Sequence, residues 1–158
     1  MHDTLKSSYW ITLENYFKPS NNLDKMMFET KRQVRLFVNR LCNQSKQHIM
    51  AVVLIDIQPN GGKYHAHLLL TPEHHYIDVD TIQDTWIGII GKKKFNMRVS
   101  LEKLMRQSGN LTDYLVTIRD ECCKVYHHDE RHMKNALAYA LRKHEELMTI
   151  YGCPKKGQ

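Results

Sequence analysis

Apolar and polar residues follow one another along this chain in two different periods. Ser8-Tyr9-Trp10-Ile11-Thr12-Leu13 is aromatic and β-branched and is soon followed by Asn, Lys and Pro, which predicts a first strand. Ser20-Asn21-Asn22 then offers capping side chains. Leu23, Met26, Met27, Thr30, Val34, Phe37, Val38 and Leu41 follow at spacings of three and four, predicting one long helix from about residue 22 to 45 with Lys25, Lys31, Arg32, Arg35 and Arg40 on its opposite face. Ile49 to Ile57 is an almost unbroken apolar run, interrupted by Pro59-Asn60-Gly61-Gly62, after which Tyr64 to Leu70 resumes. Two apolar strands joined across an Asn-Gly-Gly turn predict a hairpin. A short helix starting at Asp80 or Thr81 and running through Trp86 and Ile90 comes next, then an exposed or half-buried strand over Phe95 to Val99. Leu111 to Arg119 reads as helical and Glu121 to Glu130 as polar and irregular. A last amphipathic helix is predicted from about His132 to Met148, with Met133, Leu137, Leu141 and Met148 on its core side, helped by Ala136, Ala140 and Leu147. The order β, α, β, β, α, β, α, α, with strands meeting through a hairpin, predicts one α+β domain over residues 1–158: a central antiparallel sheet of about five strands flanked by helices.

Composition narrows the class. In 158 residues, 42% are apolar and 25% charged, with only seven Gly and four Pro, which excludes disordered and fibrous chains. No run approaches the ~18 apolar residues of a membrane span, and the first six residues lack an export signal, so no membrane partner and a cytoplasmic setting are expected. Cys42, Cys122, Cys123 and Cys153 have no disulfide or zinc-finger spacing and read as reduced thiols. The formal net charge of +6 leans towards a phosphate-bearing partner.

The chemistry-bearing residues interrupt these apolar patterns. His65-Ala66-His67 lies inside the second hairpin strand, where alternation points both imidazoles to one face. Ten histidines in a chain of this length give about 0.6 His-x-His pairs by chance, so the pair gains meaning only from its apolar context. Asp56 lies across the hairpin from it, in an otherwise apolar strand, and Gln58 shares the face of Asp56. Register at the turn decides which of the two faces the histidines. Two imidazoles and a carboxylate suit Mg²⁺, Mn²⁺ or Zn²⁺ with positions left open. On the last helix, Tyr139 falls away from the Met133/Leu137/Leu141 stripe and has Arg142 and Lys143 one turn on, where positive charge can attract a phosphate.

In this order, the three motifs resemble those of the HUH endonuclease superfamily and, within it, the rolling-circle replication initiators. Tyr9-Trp10-Ile11-Thr12-Leu13 is similar to their first-strand motif, His65-Ala66-His67 to their paired-histidine motif, and Tyr139 with Arg142 and Lys143 to their tyrosine-lysine helix. The resemblance implies a ferredoxin-like or RRM-like fold and site-specific nicking and joining of single-stranded DNA or a hairpin origin. Tyr139 would be the nucleophile, forming a 5′-phosphotyrosine link, and Lys143, with Arg142 as alternative, would position the phosphate. His65, His67 and Asp56, with Gln58 as alternate, would hold Mg²⁺ or Mn²⁺. It also implies that a host helicase and polymerase complete replication. Lys92, Lys93, Lys94 and Arg98 suit contacts to the DNA backbone. Two other readings stand beside it. A single-tyrosine transposase of an insertion sequence shares the motif order and small size, usually with Gln where Lys143 stands. A non-catalytic RRM-like binding module wants exposed sheet aromatics, of which the hairpin offers only Tyr64.

Overall fold

The computed structural model describes residues 8–16, 22–58, 63–96, 119–127, 130–143 and 146–155. Five strands, β1 (Tyr9–Tyr16), β2 (Ile49–Gln58), β3 (Lys63–Pro72), β4 (Cys123–His127) and β5 (Met148–Gly152), form one antiparallel sheet in the order β4-β1-β3-β2-β5. Among the described residues, helices α1 (Leu23–Ser45), α2 (Val79–Asn96) and α3 (Glu130–Arg142) lie between them. The first six elements run β1-α1-β2-β3-α2-β4, a ferredoxin-like arrangement, and α3 with β5 extends it.

Strand alternation sorts the sheet into two faces. Tyr9, Ile11, Leu13, Tyr64, Ala66, Leu68, Leu70, Ala51 and Val53 are buried on one of them, beneath α1 and α2. Helix α1 starts where the Asn22 side chain accepts from the Lys25 N–H at 3.1 Å and ends at Lys46, whose left-handed backbone returns its N–H to the Cys42 carbonyl. It buries Met26, Thr30, Val34, Phe37, Val38 and Leu41, six of the eight predicted stripe positions, while Leu23 at its first turn stays exposed. In α2 the buried Ile82, Trp86 and Ile90 recur every four residues and face the same core.

The two end strands were not predicted. The segment read as irregular contains β4, paired with β1, and the segment read as the end of the last helix contains β5, paired with β2. Helix α3 stops at Arg142, six residues short of Met148. The expected strand over Phe95 to Val99 is absent at Phe95 and Asn96, where the backbone continues α2 beyond a break at Gly91 with φ +71°. Residues 97–99 lie outside the described residues, as do residues 111–118 of the helix expected over Leu111 to Arg119, whose last residue, Arg119, is helical.

Helix α3 lies on the face opposite α1 and α2. Its Ala136 is only 7% exposed and packs with Trp10, Leu69 and Tyr126, which pair side by side across β1, β3 and β4. Crossover handedness accounts for this. The connections β1-α1-β2 and β4-α3-β5 move the chain across the sheet in the same direction but leave from antiparallel strands. Keeping one hand in both therefore requires opposite faces. The predicted Met133/Leu137/Leu141 stripe is corrected at Leu141, which is 61% exposed. Small Ala136 brings the helix close to the sheet, and this turns Tyr139, one turn on, inward.

At the far edge, β5 approaches α1 closely. A Cβ at Gly152 would collide with the Cys42 thiol and come within 2.9 Å of the Val38 side chain. Gly152→Ala is expected to cost about 1–3 kcal/mol through overpacking, read as a lower urea midpoint with unchanged slope.

Candidate functional site

The hairpin register is regular. Asp56 stands directly opposite His65, and Gln58 opposite Lys63, with no bulge between them among the described residues. Asp56 therefore faces the same way as the histidines and is the nearer of the two, while Gln58 lies at the hairpin end of β2. On the other side of β3, Glu14 stands opposite His65 and Thr12 opposite His67. Two rows result across three strands: Glu14–His65–Asp56, and Thr12–His67–Leu54. Alternation within β1 put Glu14 on the face of Trp10 and Thr12. The pairing of β1 with β3, which sequence reading lacked, brings it to His65.

Each imidazole has a distinct environment. The Nδ1 of His67 lies 3.2 Å from the Thr12 hydroxyl, and its ring stacks on Trp10 with centroids 5.8 Å apart and planes 9° from parallel. These contacts fix the ring and leave Nε2 as its remaining donor atom. His65 stands edge-on to it at 6.2 Å. The His65 Nε2 lies 3.3 Å from the Glu14 carboxylate, yet it is buried and makes no hydrogen bond. Burial, and then the neighbouring His65, push the His67 pKa below its ordinary value, while Asp56 and Glu14 oppose that shift. The ring is thereby held in the neutral form that ligates metals.

That shift has a sign in stability. Between the ordinary histidine value near 6.5 and the lowered folded value, the unfolded chain holds a proton that folded His67 does not. Its contribution is complete above that window and is lost as pH falls through it. Urea midpoints of metal-free protein are expected to drop from pH 7 to pH 5.5, with a smaller drop in His67→Gln. An equal drop in both proteins would remove His67 as the cause.

Helix α3 brings the nucleophile candidate over this face. The Tyr139 ring stands edge-on to His67 with centroids 6.1 Å apart. Arg142 and Lys143 each place a cationic centre 5.9 Å from the Tyr139 ring centroid. The Lys143 ammonium also lies 3.9 Å from Glu146. All three sequence motifs thus meet at one place: the first strand through Trp10 and Thr12, the histidine pair, and the tyrosine helix.

Other expected site residues are placed differently. Lys92, Lys93 and Lys94 follow the Gly91 break on helical backbone, and Arg98 lies outside the described residues. Tyr64, the hairpin aromatic, is buried on the core face with its hydroxyl donating to Gln33, so it is no base-stacking platform. Sequence reading missed Glu14; Thr12 and Trp10 it placed in the first-strand motif without giving either a contact to the histidines.

The donor set fits a hard divalent ion in kind: two imidazoles flanked by two carboxylates, with a buried His65 nitrogen lacking a hydrogen bond. Among the described residues, no three His, Cys, Asp or Glu side chains close into a metal-binding group as they stand. No described helix is long and apolar enough to cross a membrane. Comparison with protein-family models, curated proteins and solved structures gives no match.

Proposed function

We propose that this protein cuts and rejoins single-stranded DNA through a covalent link to Tyr139, with a divalent metal, and thereby initiates rolling-circle replication of a plasmid or phage. One observation carries the reading: Tyr139 stands over His67 of its own chain, with two cations beside its ring. Motifs 72 residues apart in sequence have no packing need to converge on a polar patch.

In this reading the Tyr139 oxygen attacks the scissile phosphorus, and its phenolic proton passes to solvent. The bond from phosphorus to the 3′ oxygen breaks, and that oxygen takes a proton from water. The products are a 5′-phosphotyrosine and a free 3′-hydroxyl, and the reverse step rejoins the strand. Lys143 and Arg142 draw the phosphodiester to Tyr139 and offset its charge in the transition state. His65 and His67, with a neighbouring carboxylate, would hold Mg²⁺ or Mn²⁺, which when bound would polarise the phosphate. The 3′-hydroxyl serves as a primer for a host polymerase once a host helicase has opened the duplex.

The test uses end-labelled oligonucleotides tiling the DNA that flanks the gene, incubated with the protein and Mn²⁺ and run on a denaturing gel. An adduct that survives denaturation, with the nucleotide mapped by mass spectrometry to the peptide holding Tyr139, is the expected result. Binding without any adduct across that DNA overturns the reading and leaves a binding module in its place.

A further inference from the structure

We propose, on the metal-dependent reading above, that Glu14 of β1 rather than Asp56 of β2 is the carboxylate that binds the divalent ion together with His65. Both acids stand opposite His65, one on each neighbouring strand, so register alone does not choose between them. Burial and distance do. The Glu14 side chain is 13% exposed and reaches to 3.3 Å from the His65 Nε2, whereas Asp56 is exposed to solvent.

The contact itself asks for a cation. A carboxylate oxygen at this distance from a buried imidazole nitrogen is ordinarily its hydrogen-bond acceptor, and here the alignment for that bond is missing. Leaving a buried nitrogen unsatisfied is costly. An ion bound to both atoms satisfies the nitrogen. The spacing agrees, since adjacent donors of an octahedral ion with bonds of about 2.1 Å lie about 3.0 Å apart. His67, two residues on and facing the same way, supplies the next donor, its Nδ1 already engaged by Thr12. Glutamate also has one more methylene than aspartate, which carries its oxygens further over the sheet from the neighbouring strand.

The experiment is Mn²⁺ binding to the full chain without DNA, followed by loss of the free-ion electron paramagnetic resonance signal, with thermal melts to confirm folding. Glu14→Gln is expected to weaken Mn²⁺ binding about tenfold or more, and Asp56→Asn less than about threefold. Unchanged affinity in Glu14→Gln, or a larger loss in Asp56→Asn, overturns the assignment. Should Glu14→Gln fail to fold, carboxylate carbon resonances of the wild type decide. Mn²⁺ is expected to broaden Glu14 ahead of Asp56, and equal broadening or the reverse order overturns the proposal. The two levels of inference fail separately. Wild-type protein that binds no Mn²⁺, or binds it equally after His65→Ala, removes the metal site altogether. Intact Glu14-dependent binding without a DNA adduct removes only the nuclease.

Discussion

Tyr139→Phe is expected to keep the melting temperature within about 2 °C of wild type and to reduce cutting and covalent capture of single-stranded DNA by about 10³-fold or more. The packing argument comes first. Tyr139 is half-buried on α3, and its ring contacts with His67, Arg142 and Lys143 are made by the ring rather than the hydroxyl. Phenylalanine keeps that ring and removes only the oxygen, so the helix should stay docked through Ala136. A loss of activity then reports chemistry and not folding. Tyr126→Phe is the control, because Tyr126 lies on the same face and packs in the Ala136 and Trp10 cluster. Retained adduct in Tyr139→Phe with loss in Tyr126→Phe would move the nucleophile from α3 to β4.

Trp86→Ala is expected to destabilise the fold by about 4 kcal/mol, seen as a fall of roughly 10 °C in melting temperature. Trp86 is fully buried in α2 and meets Phe37 of α1 edge to face, with centroids 5.7 Å apart. Its indole N–H donates to the Glu14 carbonyl at 3.0 Å, so one side chain ties both core helices to the end of β1. Removing it opens a cavity and leaves that carbonyl without its donor. Trp86→Phe keeps most of the volume and loses only the donor, and about 1–2 kcal/mol is expected. A loss below 1 kcal/mol in the alanine variant would mean that the core closes over the gap. The phenylalanine variant also connects fold to site, because the carbonyl that loses the indole belongs to the residue whose carboxylate meets His65.

Much of this architecture was legible in the chain because local pattern and burial agree. Helix α1 and the hairpin β2-β3 carry strong periodicity, and each buries the face its pattern marks. Strand β4 escaped because Cys123-Lys124-Val125-Tyr126-His127 offers a single aliphatic β-former, and its pairing with β1 supplies what propensity does not. In α3 one large apolar residue misled. Leu141 points to solvent, while Ala136, read as a lesser member of the same core side, faces the sheet, since close approach of a helix to a sheet rewards a small residue. Candidate chemistry followed the same division. His65, His67 and Tyr139 stood out as breaks in local pattern, whereas Glu14 acquires its place only from non-local register between β1 and β3.

Helix α3 leaves one edge of the sheet and returns at the other, with β4 and β5 each hydrogen-bonded into it. A strap fastened at both ends cannot swing out to a second molecule without unzipping an edge strand. On the proposed function, Tyr139 and the histidines therefore meet at an effective concentration set by the fold and independent of how much protein is in solution. Diluting a preformed complex with DNA a hundredfold should leave its single-turnover cutting rate unchanged, and bound strands should be cut by the very molecule that holds them.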